Sequence, residues 1–218
     1  MATTYLQLVN DVLVRLREPQ VASVSSNSYS ALVGKLVADA KREVEDAWSW
    51  DVLRTTYTAN TDSSSFNYTL TGIGTRFRVL QASNDTSDWF LEYRPASYMT
   101  ETLILTPGPQ TGSPIYYNFN GVDANGDSQV DLFPKPDGVY TIRFDVIKPE
   151  EELVNDTDTT ELPKSPIVLL AWAKAIEERG EDGGINVSSQ YGVAKQSLAD
   201  HIAIEAGRRP DETNWYWA

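Results

Sequence analysis

The chain has 218 residues, 41% of them hydrophobic and 11% aromatic, enough to bury a core in one compact unit with an embedded second layer or in two small ones. Its 18 basic and 31 acidic residues leave a net charge of −13, which excludes a generic nucleic-acid binder and argues against an anionic membrane surface as partner. The absence of cysteine excludes disulfides, thiolate catalysis and cysteine-based zinc sites, and a single histidine, His201, excludes a His-rich metal site.

The first segment reads as a helix. Thr4 and Gln7 have capping-box spacing, so the hydroxyl and the amide can each satisfy a free backbone N–H. Tyr5, Val9, Val12, Leu13 and Leu16 follow at helical spacing, and Pro19 ends the helix by pushing Glu18 out of the helical region. A serine-rich loop, Ser23 to Ser28, leads into a longer helix from about Ser28 to Trp50. Its apolar stripe is Leu32, Val33, Leu36, Val37, Ala40, Val44, Ala47 and Trp48, with Lys41, Arg42, Glu43, Glu45 and Asp46 on the other side.

Beyond Trp50 the period changes to two. Strands are expected at Val52–Thr58, Phe66–Leu70, Thr75–Ala82, Trp89–Tyr93, Ile115–Phe119, Gln129–Phe133 and Val139–Ile147. The separators are turn-forming, among them Asn125-Gly126 and Pro136-Asp137-Gly138. Residues 95–105 carry no clear period. Residues 150–165 hold six acids and one base and read as a polar linker. Ser165-Pro166 reads as an N-cap with proline at the first helical position of a helix whose one side is Ile167, Leu170, Ala171, Ala175 and Glu178. A glycine-rich stretch, Gly180 to Gly184, ends it. The last helix starts near Ser188, carries Tyr191, Ala194, Leu198 and Ile202, and ends at Gly207.

The expected fold is α+β. A four-helix bundle forms from the N- and C-terminal helix pairs, residues 1–50 and 164–207, and an antiparallel β-sandwich or barrel of about seven strands, residues 51–150, is inserted between them. An acidic linker covers 151–163 and an extended tail 208–218.

Few residues point to chemistry. Asp123-Ala-Asn125-Gly-Asp127-Ser-Gln-Val-Asp131 imitates the start of a calcium loop, but the sharp-turn glycine position holds Ser128 and the bidentate twelfth position holds Pro134. A hairpin turn at Asn125-Gly126 explains it more simply. His201 falls near the apolar side of the last helix, and no Gly-x-Ser-x-Gly elbow presents a nucleophile to it. No catalytic residue, cofactor or metal is expected. The tail is the most informative feature. Trp215, Tyr216 and Trp217 occupy three of the last four positions, large aromatics anchor interfaces, and Arg208 and Arg209 before them can pair with acids on a neighbour. Pro210 directs the chain away from the last helix. These six residues are the expected contact with a partner or a neighbouring subunit.

Four stretches together resemble a known family: Tyr5-Leu-Gln-Leu-Val-Asn-Asp-Val-Leu, Asp39-Ala-Lys-Arg-Glu-Val-Glu-Asp-Ala-Trp48, Leu132-Phe-Pro-Lys-Pro-Asp-Gly138-Val-Tyr-Thr-Ile, and Glu178-Arg-Gly-Glu-Asp-Gly-Gly184. In this order they look like the head-to-tail adaptors of short-tailed bacteriophages, the tail tubular protein A-like or portal-adaptor proteins, over essentially the whole chain. The resemblance implies a virion structural protein, not an enzyme, assembled in the host cytoplasm and located in the virion neck. It implies a ring, twelvefold by analogy, whose partners are the portal, other copies of the chain, the tail nozzle or next tail component, and viral DNA in transit without specific binding. No membrane is involved. An acidic wall suits a DNA conduit, because it repels phosphate. Two other readings stand beside it. One is a carbohydrate-binding or hydrolytic tail protein built on Tyr116-Tyr117, Trp89-Phe90 and the carboxylates; the other is a neck protein of a long-tailed phage.

Overall fold

A computed structural model describes residues 2–180 and 185–208. The described residues divide into two units, one within residues 2–52, 150–180 and 185–208 and one of residues 53–149.

In the first unit a two-residue strand β1 (Thr3–Thr4) runs into helix α1 (Tyr5–Arg15). The expected capping box is present: Gln7 N–H donates to Thr4 Oγ1 at 3.3 Å and Thr4 N–H to Gln7 Oε1 at 3.1 Å. Helix α2 (Ser28–Ala47) is capped by Asn27, whose side chain accepts from Ser30 N–H at 2.7 Å. It ends before Trp48, so Ala47 and Trp48, placed in the apolar stripe by spacing, are exposed.

Gly34 of α2 lies against the side chains of Tyr5 and Val24. A Cβ there would lie 2.5 Å from Tyr5 Oη and 2.6 Å from Val24 Cγ1. Gly34→Ala is therefore expected to cost about 1–3 kcal/mol by overpacking rather than gain helix propensity. Denaturant unfolding followed by helical circular dichroism checks it.

The second unit carries eight strands: β2 (Arg54–Asn60), β3 (Asn67–Thr69), β4 (Arg78–Asn84), β5 (Trp89–Phe90), β6 (Glu92–Tyr93), β7 (Tyr116–Val122), β8 (Ser128–Phe133) and β9 (Thr141–Ile147). Between β6 and β7 lie a short helix α3 (Ala96–Met99) and a π-helical turn at Thr100–Leu105, the segment without a clear period. Two four-stranded sheets form, in the orders β2-β9-β4-β5 and β3-β8-β7-β6. They bury one core between them. Ala82, Ile142, Phe144 and Val146 come from the first sheet, and Tyr117, Val130 and Leu132 from the second, with Leu70, Ile73 and Leu91 from the connections.

The stretch expected as one strand, Trp89–Tyr93, is two. Its chain crosses from one sheet to the other at buried Leu91, whose N–H still reaches Ala82 C=O at 2.9 Å, while Glu92 N–H already reaches Ile115 C=O at 2.9 Å. The crossing makes β5 antiparallel to β4 but β6 parallel to β7, so the sandwich is not wholly antiparallel.

Returning to the first unit, β10 (Thr159–Thr160) pairs with β1 and closes a small ribbon, and helices α4 (Lys164–Arg179) and α5 (Ile185–Ala206) follow. Pro163, not Ser165, occupies the N-cap of α4, which places Pro166 in the first turn where no N–H is needed. Glu178 is exposed rather than facing inward.

The expected four-helix bundle is corrected. The described chain has five helices and ten strands in three sheets. Three long helices share an interior: Leu8, Val9 and Val12 of α1, Val33, Val37 and Val44 of α2, and Ile167, Val168 and Ala171 of α4 are all buried. Helix α5 lies outside them, against α4, and among its described side chains only Ala194 is fully buried. The reason is visible in its stripe. Tyr191, Ala194, Leu198 and Ile202 make a single row, which can lie along one neighbour but cannot fill the centre of a bundle.

Candidate functional site

The last described turn of α5 is the root of the aromatic tail. Arg208 is exposed and pairs with Glu205 at 3.3 Å, and Glu205 Oε1 accepts Asp51 N–H at 2.9 Å, tying the helix end to the 3₁₀ turn at Asp51–Leu53. A groove of about 440 Å³ opens beside it, lined by Trp50, Val52, Glu161, Pro163, His201, Ile204, Glu205 and Arg208. Val52 and Ile204 present apolar side chains to solvent there, and Trp50 is buried, its indole N–H donating to Val44 C=O at 2.8 Å. Arg209, Pro210, Trp215, Tyr216 and Trp217 lie outside the described residues. Of the six expected contact residues, only Arg208 is placed.

His201 is half-buried, with Nδ1 2.7 Å from Ser197 C=O one turn back. That bond fixes the ring as part of the helix, and the partner is a main-chain oxygen rather than a serine hydroxyl. The calcium-like segment is the β7–β8 hairpin turn. Asp123 Oδ1 accepts the N–H groups of Asn125 at 2.8 Å and Asp127 at 2.9 Å, and Gly126 sits at φ 85°, where glycine is favoured. Asp127 accepts Gly74 N–H at 3.1 Å, and Asp131 accepts the side-chain amides of Asn67 and Asn120 at 2.7 and 2.9 Å. The three carboxylates serve separate backbone and amide partners, and no group of three or more metal-ligating side chains occurs among the described residues.

Aromatics considered for a sugar platform do not form one face. Tyr117 is buried against Phe144 and Phe119, with ring centroids 5.4 and 5.9 Å apart, and Tyr116 stacks on Phe133 under Arg94. Trp89 donates its indole N–H to Pro114 C=O at 2.9 Å. Phe90 alone of the four projects mostly into solvent, 67% exposed.

Spacing missed one polar centre. Lys41 and Glu45 are buried inside the first unit, not solvated. Lys41 Nζ lies 3.2 Å from Glu45 Oε1, 3.4 Å from Glu150 Oε2 and 3.0 Å from Glu151 C=O, and Glu45 Oε1 accepts Glu150 N–H at 2.8 Å. The cluster fastens α2 to residues 150–151, where the chain re-enters this unit. Lys41 is four residues after Val37 and three before Val44, a spacing that already puts it within the stripe.

Titration of these surroundings bounds the stable pH range. The Ser64 hydroxyl and the Ser64 and Ser65 N–H groups hold Asp62 below the usual carboxylate range; backbone N–H groups, of Asp127 and Asn125 for Asp123 and of Asn155 and Val154 for Asp158, do the same. Their contribution is present above pH 3.8 and is lost as pH falls through the lowered values. Burial pushes the phenols of Tyr5, Tyr117 and Tyr191 above 10.0, with Asp156, Tyr93 and Glu177 adding to it. Above that pH the unfolded chain loses these protons first, so stability falls as pH rises. The denaturant midpoint is expected to be level between about pH 5 and 9 and to fall on both sides, with the phenolate absorbance of these tyrosines rising at higher pH in the folded chain than in the unfolded one.

The family model described as SU10 adaptor protein matches residues 3–214, nearly the whole chain and both of its units. The chain belongs to that family. No curated protein matches it. Membership in the SU10 adaptor family makes it a bacteriophage adaptor, a structural role in the virion that brings it against other head or tail components. No helix among the described residues is long and apolar enough to cross a membrane.

Proposed function

We propose that this SU10 adaptor is a ring-forming subunit that joins the portal to the next tail component and surrounds the path of the DNA. The match over residues 3–214 carries the reading, since it spans both units rather than one module. The net charge of −13 per copy supports it, because a ring of acidic subunits repels phosphate and leaves DNA free to slide. Arg208, Arg209, Pro210, Trp215, Tyr216 and Trp217 are the proposed contact with the portal or a neighbouring copy, rooted at the end of α5 beside the groove of Trp50 and Ile204.

Light-scattering mass of the protein mixed with its phage's portal ring tests this. Twelve copies of 24.3 kDa would add roughly 290 kDa. A chain ending at Arg209 is expected to keep its helical content and to add no mass. Absence of a mass gain by the full chain overturns the reading; an undiminished gain by the shortened one removes the tail from it.

A further inference from the structure

The two flanks of the first sheet differ in a way that fits one copy of this chain to another. The order β2-β9-β4-β5 leaves β2 and β5 as its edges. β2 is seven residues long, and its sequence Arg-Thr-Thr-Tyr-Thr-Ala-Asn contains neither proline nor lysine to discourage pairing. The other edges of the sandwich, β3, β5 and β6, are three, two and two residues long.

Hydrogen-bond parity tells which backbone groups β2 offers. Lys148 N–H donates to Leu53 C=O at 3.0 Å and Thr61 N–H to Tyr140 C=O at 2.9 Å, both in the register that pairs Tyr57 with Phe144. Odd-numbered residues therefore bond inward to β9, and the N–H and C=O groups of residues 54, 56, 58 and 60 point away from the sheet. Their side chains lie on its exposed face. At the other flank, the bond from Leu91 N–H to Ala82 C=O and the pairing of Ser83 with Phe90 turn the backbone of Phe90 away from β4. Leu91 faces the core, so Phe90 projects from the exposed face. Thr56, Thr58 and Phe90 thus share both properties: outward backbone and outer-face side chain. Chain direction alternates across the sheet, so β5 of one copy runs antiparallel to β2 of the next.

We infer that β5 of one copy adds to β2 of a second copy, with Phe90 opposite Thr56 or Thr58, so that the sheet continues head to tail from subunit to subunit. The pairing covers an exposed aromatic with a β-branched partner and occupies the longest open edge. It joins two different surfaces, and such an interface closes into a ring where the rotation allows. The inference rests on the ring reading above and names its subunit contact.

The chain has no cysteine, so introduced pairs report without background. Phe90→Cys is combined with Thr56→Cys and, separately, with Thr58→Cys, and each is oxidised alone and on the portal ring while mass gain is recorded. One of the two combinations is expected to give a covalent ladder, at least tenfold above any single variant, whose step is one subunit. A dimer from Thr58→Cys or Phe90→Cys alone indicates two-fold pairing and overturns the inference. Full mass gain on the portal without a ladder from either combination also overturns it, while leaving the portal reading intact. A ladder without mass gain supports this contact and overturns portal binding.

Discussion

Replacing Lys41 by methionine is expected to lower the stability of the helical unit by about 3–5 kcal/mol, because it leaves the buried carboxylate of Glu45, and the half-buried one of Glu150 beside it, without their cation. Both Lys41 and Glu45 side chains are 4% exposed, and the ammonium donates to Glu45 Oε1 and to the carbonyls of Glu150 and Glu151, with the Glu150 carboxylate 3.4 Å away. The methionine fills the same volume, so the loss reports charge rather than a cavity. A second variant separates the causes. Lys41→Met with Glu45→Gln keeps an acceptor for the Glu150 N–H and removes one of the two carboxylates, and is expected to recover about half of the loss. Arg42→Met is the control one residue away. Its pair with Glu152 is exposed on both sides, and its removal is expected to change stability by less than about 1 kcal/mol. Urea unfolding followed by helical circular dichroism measures all three. Equal losses at Lys41 and Arg42 would mean that burial of the cluster does not matter.

The sequence disclosed what is local and withheld what depends on distant partners. Thr4 and Gln7 were legible because a capping box closes within four residues. The β strands were legible because an alternation long enough to count survives in β2, β7 and β9. Trp89–Tyr93 was not, since a period of two reads the same whether the segment serves one sheet or crosses at Leu91 to a second. The β1–β10 ribbon has two residues on each side, too few to carry a period. The bundle failed for a related reason: spacing shows that α5 has an apolar row but not that one row reaches only one neighbour. Lys41 was misplaced because a Lys and a Glu four apart look alike on a solvated face and in a buried clasp, although the position between Val37 and Val44 was a signal. In the site, His201 as a structural residue and the Asn125-Gly126 turn follow from the sequence. The free edge of β2 does not, because it depends on which strands fall beside it.

Phe144→Ala is expected to cost the β unit about 3–5 kcal/mol. Phe144 lies at the middle of β9, itself between β2 and β4, and has no exposed surface. Its ring meets Tyr117 at 5.4 Å and Phe119 at 5.7 Å, both from the opposite sheet, so truncation opens a cavity where the two sheets face each other and removes a partner from each ring. The neighbours are held by the strand ladder and by Ile142 and Val146 on the same face, which limits collapse into the space. Phe144→Leu keeps most of the volume and is expected to cost about 1–2 kcal/mol. Val139→Ala, at a side chain 71% exposed, is expected to fall within about 0.5 kcal/mol of the parent. Because Phe144 and Lys41 belong to different units, the double variant Lys41→Met, Phe144→Ala is expected to show each single loss unchanged to within about 0.5 kcal/mol, the Lys41 loss in the unfolding of the helical unit and the Phe144 loss in that of the β unit. Calorimetry of the four proteins tests this: a single transition that carries the sum of both losses would mean that the helical and β units unfold as one cooperative body.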